Sequence, residues 1–267
     1  MQGTGNDFVV IDNRTCQLTL HQIIEATPRL CNRKYGIGAD GLIALNESDQ
    51  ADYEMIYRNA DGSDAGMCGN GGRCIARFAY KSGFKPNHTF TVHDIIYKAE
   101  VTDESVNLTF PVTAKPKSVN IPGFGRCIKV HTGTEHIVLS IGEKDLSSEK
   151  KLTQNGRKLR HHELFDPPGT NVNFFCGLNE QTVKLQTYER GVEDLTLACG
   201  TGALATAISW HQQQLEDNSS TTHQVYTVET RGGILDVSFR YNKANNSYNQ
   251  LTLKGPAQFV FEGIIKL

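Results

Sequence analysis

The sequence predicts an α+β protein made of two related domains, and three observations carry that expectation. Short strand-like runs outnumber helical patterns, and the two kinds do not alternate as they would in a βαβ sheet. A cysteine–glycine motif occurs twice, as Cys68-Gly69-Asn70-Gly71 and Cys199-Gly200-Thr201-Gly202, each time opening a helical stretch. The length of 267 residues accommodates two domains of ordinary size.

The elements follow in order. Residues 7–12 are rich in Val and Ile and read as a strand. Thr19-Leu20-His21-Gln22 forms a capping box that opens a helix, with Pro28 inside or interrupting it. A strand is expected over 52–58, then a helix over 72–81 with Cys74, Ile75, Phe78 and Ala79 on one face and Gly83 as its stop. Strands over 88–93 and 105–110 complete the first half. Pro111, Pro116 and Pro122, with Lys115 and Lys117, mark a boundary. Strands over 136–141, 171–176 and 182–188 lead to a helix from Ala203 to Trp210. That helix is apolar almost all round, so it should be central and buried. Strands over 224–230 and 234–240 follow. The expected domains are 1–115 and 116–255, with 256–267 returning as a strand to the first.

The duplication is legible in the spacing. Tyr57 precedes Cys68 by 11 residues and Tyr188 precedes Cys199 by 11, at an offset of 131 residues. The run Thr4-Gly5-Asn6-Asp7-Phe8 aligns with Thr132-Gly133-Thr134-Glu135-His136 at an offset of 128. Matches in one order at nearly one offset point to two similar domains, because a solenoid would need more and shorter repeats.

Composition excludes several classes. With 27 basic and 29 acidic residues the net charge is −2, which leaves no basic field for nucleic acid or anionic lipid. No apolar run approaches the length of a membrane span. The first residues lack the charged and apolar regions of a signal peptide, so a cytoplasmic protein is expected, although the abrupt start leaves room for a missing N-terminal strand. Seven cysteines, an odd number with no CxxC pair, argue against a disulfide framework and against structural zinc. Most should be buried apolar fillers.

Cys68 and Cys199 are the exceptions. At a helix N-terminus the unpaired N–H groups and the positive dipole end lower a thiol's pKa. Adjacent glycines let backbone N–H groups approach an anion closely. Each loop therefore offers a reactive sulfur beside a carboxylate site. Two such loops suit inversion of an amino-acid α-carbon, which needs a base on one face and an acid on the other. The developing carbanion charge would be met by the loop N–H groups.

These residues resemble the diaminopimelate epimerase family. The resemblance rests on Gly3-Thr4-Gly5-Asn6-Asp7-Phe8, Asn59-Ala60-Asp61-Gly62-Ser63, Met67-Cys68-Gly69-Asn70-Gly71, Gly169-Thr170-Asn171-Val172-Asn173-Phe174, Tyr188-Glu189-Arg190-Gly191 and Ala198-Cys199-Gly200-Thr201-Gly202, in family order. It implies a cofactor-independent, metal-free isomerase that interconverts LL- and meso-diaminopimelate for lysine and peptidoglycan-precursor synthesis. The implied fold is two pseudo-symmetric domains, each a curved sheet around a central helix, with the active site in the cleft between them. It assigns the acid/base roles to Cys68 and Cys199, and the reacting carboxylate to Gly69, Asn70, Gly200 and Thr201. Asn6 would lie near the reacting amino group. Asn59, Asn171 and Arg190 would grip the distal end, where Arg offers a bidentate fork. Glu189 would meet the distal ammonium, and Glu189 and His136 would tune the thiols. The expected partner is a small amino-acid substrate, with a homodimer as an option and no nucleic acid or membrane.

Three departures bear on substrate reading. Thr134 stands where the family usually has Asn, Gly41 stands where it has Gln, and the 191–197 loop is one residue longer. The rival reading is another cofactor-independent racemase of the same fold, acting on proline, hydroxyproline or histidine. The run Gly36-Ile37-Gly38-Ala39-Asp40-Gly41 fits GxGxxG but follows a helix, not a strand, so it is not read as a nucleotide loop.

Overall fold

The computed structural model describes residues 1–215 and 223–265. The chain forms two compact units, Met1–Thr109 with Lys254–Leu267, and Phe110–Leu253.

The first unit contains β1 (Gln2–Gly3), β2 (Asn6–Asp12), α1 (Asn13–Cys16), α2 (Leu20–Cys31), β3 (Gly41–Asn46), β4 (Tyr53–Asn59), α3 (Gly69–Lys81), β5 (Asn87–Val92), β6 (Ile95–Val101) and β7 (Val106–Phe110). Its strands lie in the order β1 to β7. Pairing alternates: β2 is parallel to β3, β3 antiparallel to β4, β4 parallel to β5, and β5 antiparallel to β6. Helix α3 packs on one face of this sheet. Helix α2 covers the other, with Ile23 and Leu30 against Val9, Leu42 and Ala44. Gln2 bridges Gln258 through two reciprocal backbone bonds of 2.9 Å, which places the C-terminal segment on this unit.

The second unit contains β8 (Lys117–Ile121), β9 (Gly125–His131), β10 (Glu135–Ser140), α4 (Glu143–Leu146), α5 (Glu149–Arg160), β11 (Asn171–Gly177), β12 (Thr182–Glu189), β13 (Asp194–Thr196), α6 (Gly200–Gln214), β14 (His223–Thr230), β15 (Gly233–Asn242) and β16 (Ser247–Gly255). Its strand order is β16-β15-β14-β12-β11-β10-β9-β8, with β13 on β12. The alternation repeats: β10 is parallel to β11, β11 antiparallel to β12, β12 parallel to β14, and β14 antiparallel to β15. Helix α6 packs on one face and α5 on the other. The duplication seen in the spacing is thus a duplicated topology. Residues Phe8 and His136, aligned by sequence, both open the parallel pair, opposite Gly41 and Asn171 respectively.

The capping box at Thr19 forms in full, and α2 runs through Pro28. Helix α3 begins at Gly69, three residues earlier than the periodicity indicated, because Cys68 is its N-cap. Helix α6 is buried continuously from Gly200 to Ser209, as its all-round apolar sequence requires.

Several elements escaped the sequence reading for definable reasons. Strand β3 is buried on both faces between α2 and α3, so its sequence, Gly-Leu-Ile-Ala-Leu-Asn, lacks alternation. Helix α5 buries only Leu152, Gly156 and Leu159, a narrow stripe in a charged helix. Each buried Leu still contributes about 1.5–3 kcal/mol. The proline-rich stretch read as a boundary holds strand β8, whose ends are flanked by Pro116 and Pro122 and which ends the sheet, where proline is tolerated. In the glycine-rich run, the amides of Ile37 and Gly38 both bond Leu30 O and that of Ala39 bonds Cys31 O, so this loop terminates α2.

Candidate active site

Cys68 caps α3 with an extended backbone (φ −117°, ψ 123°), and its Sγ accepts the Gly71 N–H at 3.4 Å. The thiol donates to Asn6 Oδ1 at 3.7 Å. Asn6 is held in turn by Asp40, whose carboxylate accepts from Asn6 Nδ2 at 2.6 Å. Arg33 clamps Asp40 and Asp7 at 2.7 Å each. Burial works to raise the Asp7 carboxyl, but Arg33 and the hydrogen bonds with Asp40 hold it below its usual range, and the two carboxylates raise the Arg33 guanidinium.

Under the same loop lies Arg73, which is wholly buried. Its guanidinium donates to Asn70 Oδ1 (2.8 Å), Thr4 Oγ1 (3.0 Å), Gly69 O (3.1 Å) and Pro256 O (3.2 Å). Burial lowers its pKa to about 10, and the nearby thiols Cys74 and Cys68 act in the opposite direction. The Asn70 side-chain oxygen is therefore occupied by Arg73 and Thr4. Asn59 ends β4 and donates to Ser63 Oγ at 3.0 Å.

Cys199 caps α6 with nearly the same backbone (φ −119°, ψ 112°) and is buried. Its Sγ lies 3.6 Å from Thr201 Oγ1. Thr201 Oγ1 lies 3.2 Å from Thr134 Oγ1, and Thr134 Oγ1 lies 2.9 Å from His136 Nε2. His136 Nδ1 faces Asn173 Nδ2 at 2.9 Å, and Asn173 Oδ1 accepts from Thr187 Oγ1 at 2.9 Å. His136 is fully buried and its pKa falls to about 3, chiefly by desolvation and secondarily through His131 and Arg190. It is a neutral imidazole across the physiological range.

The distal-end residues cluster in this unit. Asn171 bridges two chain segments: its Oδ1 accepts the Arg190 N–H at 2.9 Å, and its Nδ2 donates to Glu135 O at 3.1 Å and Thr134 Oγ1 at 3.3 Å. Glu189 ends β12, half-buried, and Arg190 follows it, also half-buried. Gly200 opens α6 directly after Cys199.

The structure therefore groups Asn6, Cys68, Gly69 and Asn70 in one unit, and His136, Asn171, Glu189, Arg190, Cys199, Gly200 and Thr201 in the other. Among the participants given no role from the sequence are Thr4, Arg73, Thr132 and Asn173. A signal existed for two of them. Thr4 and Thr132 are aligned by the duplication, and each ties its Thr-Gly turn to the residue two past the cysteine, Thr4 Oγ1 to Asn70 Oδ1 (3.0 Å) and Thr132 Oγ1 to Thr201 O (2.8 Å).

The remaining cysteines differ. Burial pushes Cys31 and Cys127 up to about 11 and Cys74 up to about 12, which makes them inert fillers at neutral pH, and Cys16 is exposed. Among the described residues no group of three or more His, Cys, Asp or Glu side chains could hold a metal, and no helix is long and apolar enough to cross a membrane.

A family model described as diaminopimelate epimerase matches residues 1–109 and 128–260. The diaminopimelate epimerase of Flavobacterium psychrophilum is 38% identical over 266 residues, spanning 99% of this chain and 98% of its own. That of Chlorobaculum tepidum is 39% identical over 272 residues, spanning 100% of both chains. Among solved structures, the Bacillus anthracis phenazine biosynthesis protein of the PhzF family aligns with a TM-score of 0.72 at 13% identity, over 99% of this chain and 95% of its own. A hydroxyproline epimerase from Agrobacterium vitis aligns at 0.65 and 15% identity, over 95% and 87%. At those identities the structural likeness speaks for the fold alone. The family match and the full-length relatives carry the assignment: the chain belongs to the diaminopimelate epimerase family.

Proposed function

We propose that this protein epimerises diaminopimelate, converting the LL to the meso form and back without a cofactor, within lysine and peptidoglycan-precursor synthesis. The observation that carries this reading is the duplicated placement of two thiols, each the N-cap of the central helix of its unit with matching backbone. One sulfur, as thiolate, removes the α-proton and becomes a thiol. The other, as thiol, returns a proton to the opposite face and becomes a thiolate. The α-carbon is inverted and the enzyme is left with the charge exchanged, ready for the reverse reaction.

The intermediate is a carbanion whose charge flows into the adjoining carboxylate. The first-turn amides at Gly69, Asn70, Gly200 and Thr201 are suited to that charge, since helix N-termini present N–H donors and positive potential. Asn6, oriented by Asp40, is assigned to the reacting amino-acid end. Arg190, Glu189, Asn59 and Asn171 are assigned to the distal end. Asn171 acts there mainly by setting the Arg190 backbone, because its amide N–H groups are engaged by Glu135 O and Thr134 Oγ1.

The test is loss of α-proton signal in D₂O, followed by NMR, with LL-diaminopimelate and separately with proline, hydroxyproline and histidine. Exchange with inversion on diaminopimelate alone supports the reading. Turnover of a cyclic amino acid with none on diaminopimelate would replace it by the racemase alternative.

A further inference from the structure

Donor and acceptor counting fixes the direction of the hydrogen bonds that run from Asn171 and Asn173 as far as Thr201 Oγ1. Asn171 is oriented by two backbone groups of opposite character: its oxygen faces the Arg190 N–H and its nitrogen faces the Glu135 carbonyl. Its NH₂ must therefore donate to Thr134 Oγ1. Asn173 is oriented likewise, since its nitrogen lies 3.3 Å from the Ile137 carbonyl. Its NH₂ donates to His136 Nδ1, so that nitrogen carries no proton and the neutral ring holds its proton on Nε2.

His136 Nε2–H then donates to Thr134 Oγ1. Both lone pairs of the Thr134 hydroxyl are now filled, by Asn171 and His136, and its single proton is directed to Thr201 Oγ1. Thr201 Oγ1 in turn lies 3.6 Å from Cys199 Sγ, a contact in which either atom can donate. We propose that Thr201 directs its proton to Cys199 Sγ and that Thr134 is the positioning residue that turns this relay outward, so that Cys199 receives a hydrogen bond and is held as thiolate before substrate binds. The proposal rests on the two-thiol reading for its catalytic meaning, but not for its test.

The charged and titratable groups bearing on the relay are few. His131, ion-paired with Glu135, and Arg190 both disfavour charge on His136. Glu189 and Arg190 follow Tyr188, the register partner of Val172 on β12. In the other unit Cys68 meets a mixed environment: it donates to Asn6, accepts from Gly71 and interacts with Arg73. Cys68 therefore serves as the internal control.

The experiment is the pH dependence of alkylation by iodoacetamide, read separately for the Cys68 and Cys199 peptides by mass spectrometry. The midpoint of each profile reports acidity independently of accessibility. Thr134→Val keeps the shape of the side chain and removes the hydroxyl. It should raise the Cys199 midpoint by about one pH unit or more, which below the midpoint is about a tenfold slower alkylation, and leave the Cys68 midpoint in place. Thr134→Ser should restore the wild-type midpoint. Thr201→Val, which removes the last donor, should reproduce the Thr134→Val shift. In the unaltered protein, ¹⁵N NMR should find His136 protonated on Nε2. A Cys199 midpoint unmoved by both valine variants, or His136 protonated on Nδ1, would overturn the relay. Neither readout requires turnover, so failure of the relay is distinguishable from failure of the epimerase reading.

Discussion

The two cysteine-capped helices start alike and are supported by different chemistry. Beneath Cys68 sits a buried cation, Arg73, five residues along α3. The equivalent position on α6 is Leu204, also buried. Beneath Cys199 the support is a neutral imidazole, His136, and the aligned position in the first unit is Phe8. In both units a Thr-Gly turn is tied to the helix start, so the loop geometry is shared while its electrostatics are not. One duplicated scaffold thus presents two sulfurs in the same backbone setting but with a charged and an uncharged foundation. Acid/base exchange between two thiols requires only that each be able to hold the proton or the charge in turn.

The largest test of that asymmetry is on the helices themselves. Arg73→Met should destabilise the protein by about 3 kcal/mol or more, since it removes the guanidinium's hydrogen bonds to Thr4, Asn70 and two carbonyls in a buried site. Leu204→Met at the equivalent position should cost under about 1.5 kcal/mol, as a volume-conserving apolar change. Urea denaturation of the two variants compares them directly, and equal costs would contradict the difference in foundation.

A second pair distinguishes how tightly each loop is packed. A Cβ added at Gly202 would lie 2.5 Å from Asn173 Oδ1, an atom held by Thr187, and 3.2 Å from Cys199 Cβ. At Gly71 the nearest atoms are the ends of Ile43 and Met55, at 3.0 and 3.2 Å. Gly202→Ala should cost about 2–3 kcal/mol and Gly71→Ala about 1 kcal/mol, because methyl termini can give way where a hydrogen-bonded amide cannot. Thermal denaturation of both variants would show the order.

The smallest effect is in pH. His136 holds a folded pKa of about 3 against an ordinary value of 6.5, so below pH 6.5 the unfolded chain binds more protons. Stability is lost as pH falls from about 6.5 toward 3. Between pH 7 and pH 5 His136 alone accounts for about 2 kcal/mol. His211, lowered to about 4 by burial, works in the same direction in the same unit. Denaturation curves at the two pH values should show the loss, and hydrogen exchange should place its onset in the second unit. Equal stability at both values would mean that His136 is not buried as a neutral base.

The duplication and both thiols were legible in the sequence because they depend on local spacing: a cysteine, two glycines, and a tyrosine 11 residues upstream. What spacing did not reveal was the support. Arg73 lies within α3, where an Arg ordinarily reads as a solvated face, and only the fold shows that face turned inward. Thr134 read as a departure from a family pattern, and only the positions of Asn171, His136 and Thr201 give its hydroxyl a direction. Strand β3 was lost for the related reason that burial on both faces erases the alternation by which strands are recognised.

The central claim is that inversion needs both thiols, and single serine replacements test it most directly. Cys68→Ser and Cys199→Ser, assayed for interconversion of LL- and meso-diaminopimelate in both directions, should each lose at least about 100-fold in turnover. The filler replacement Cys127→Ala should retain activity, since that thiol is buried and raised to about 11. Near wild-type turnover in either serine variant would contradict the two-thiol account.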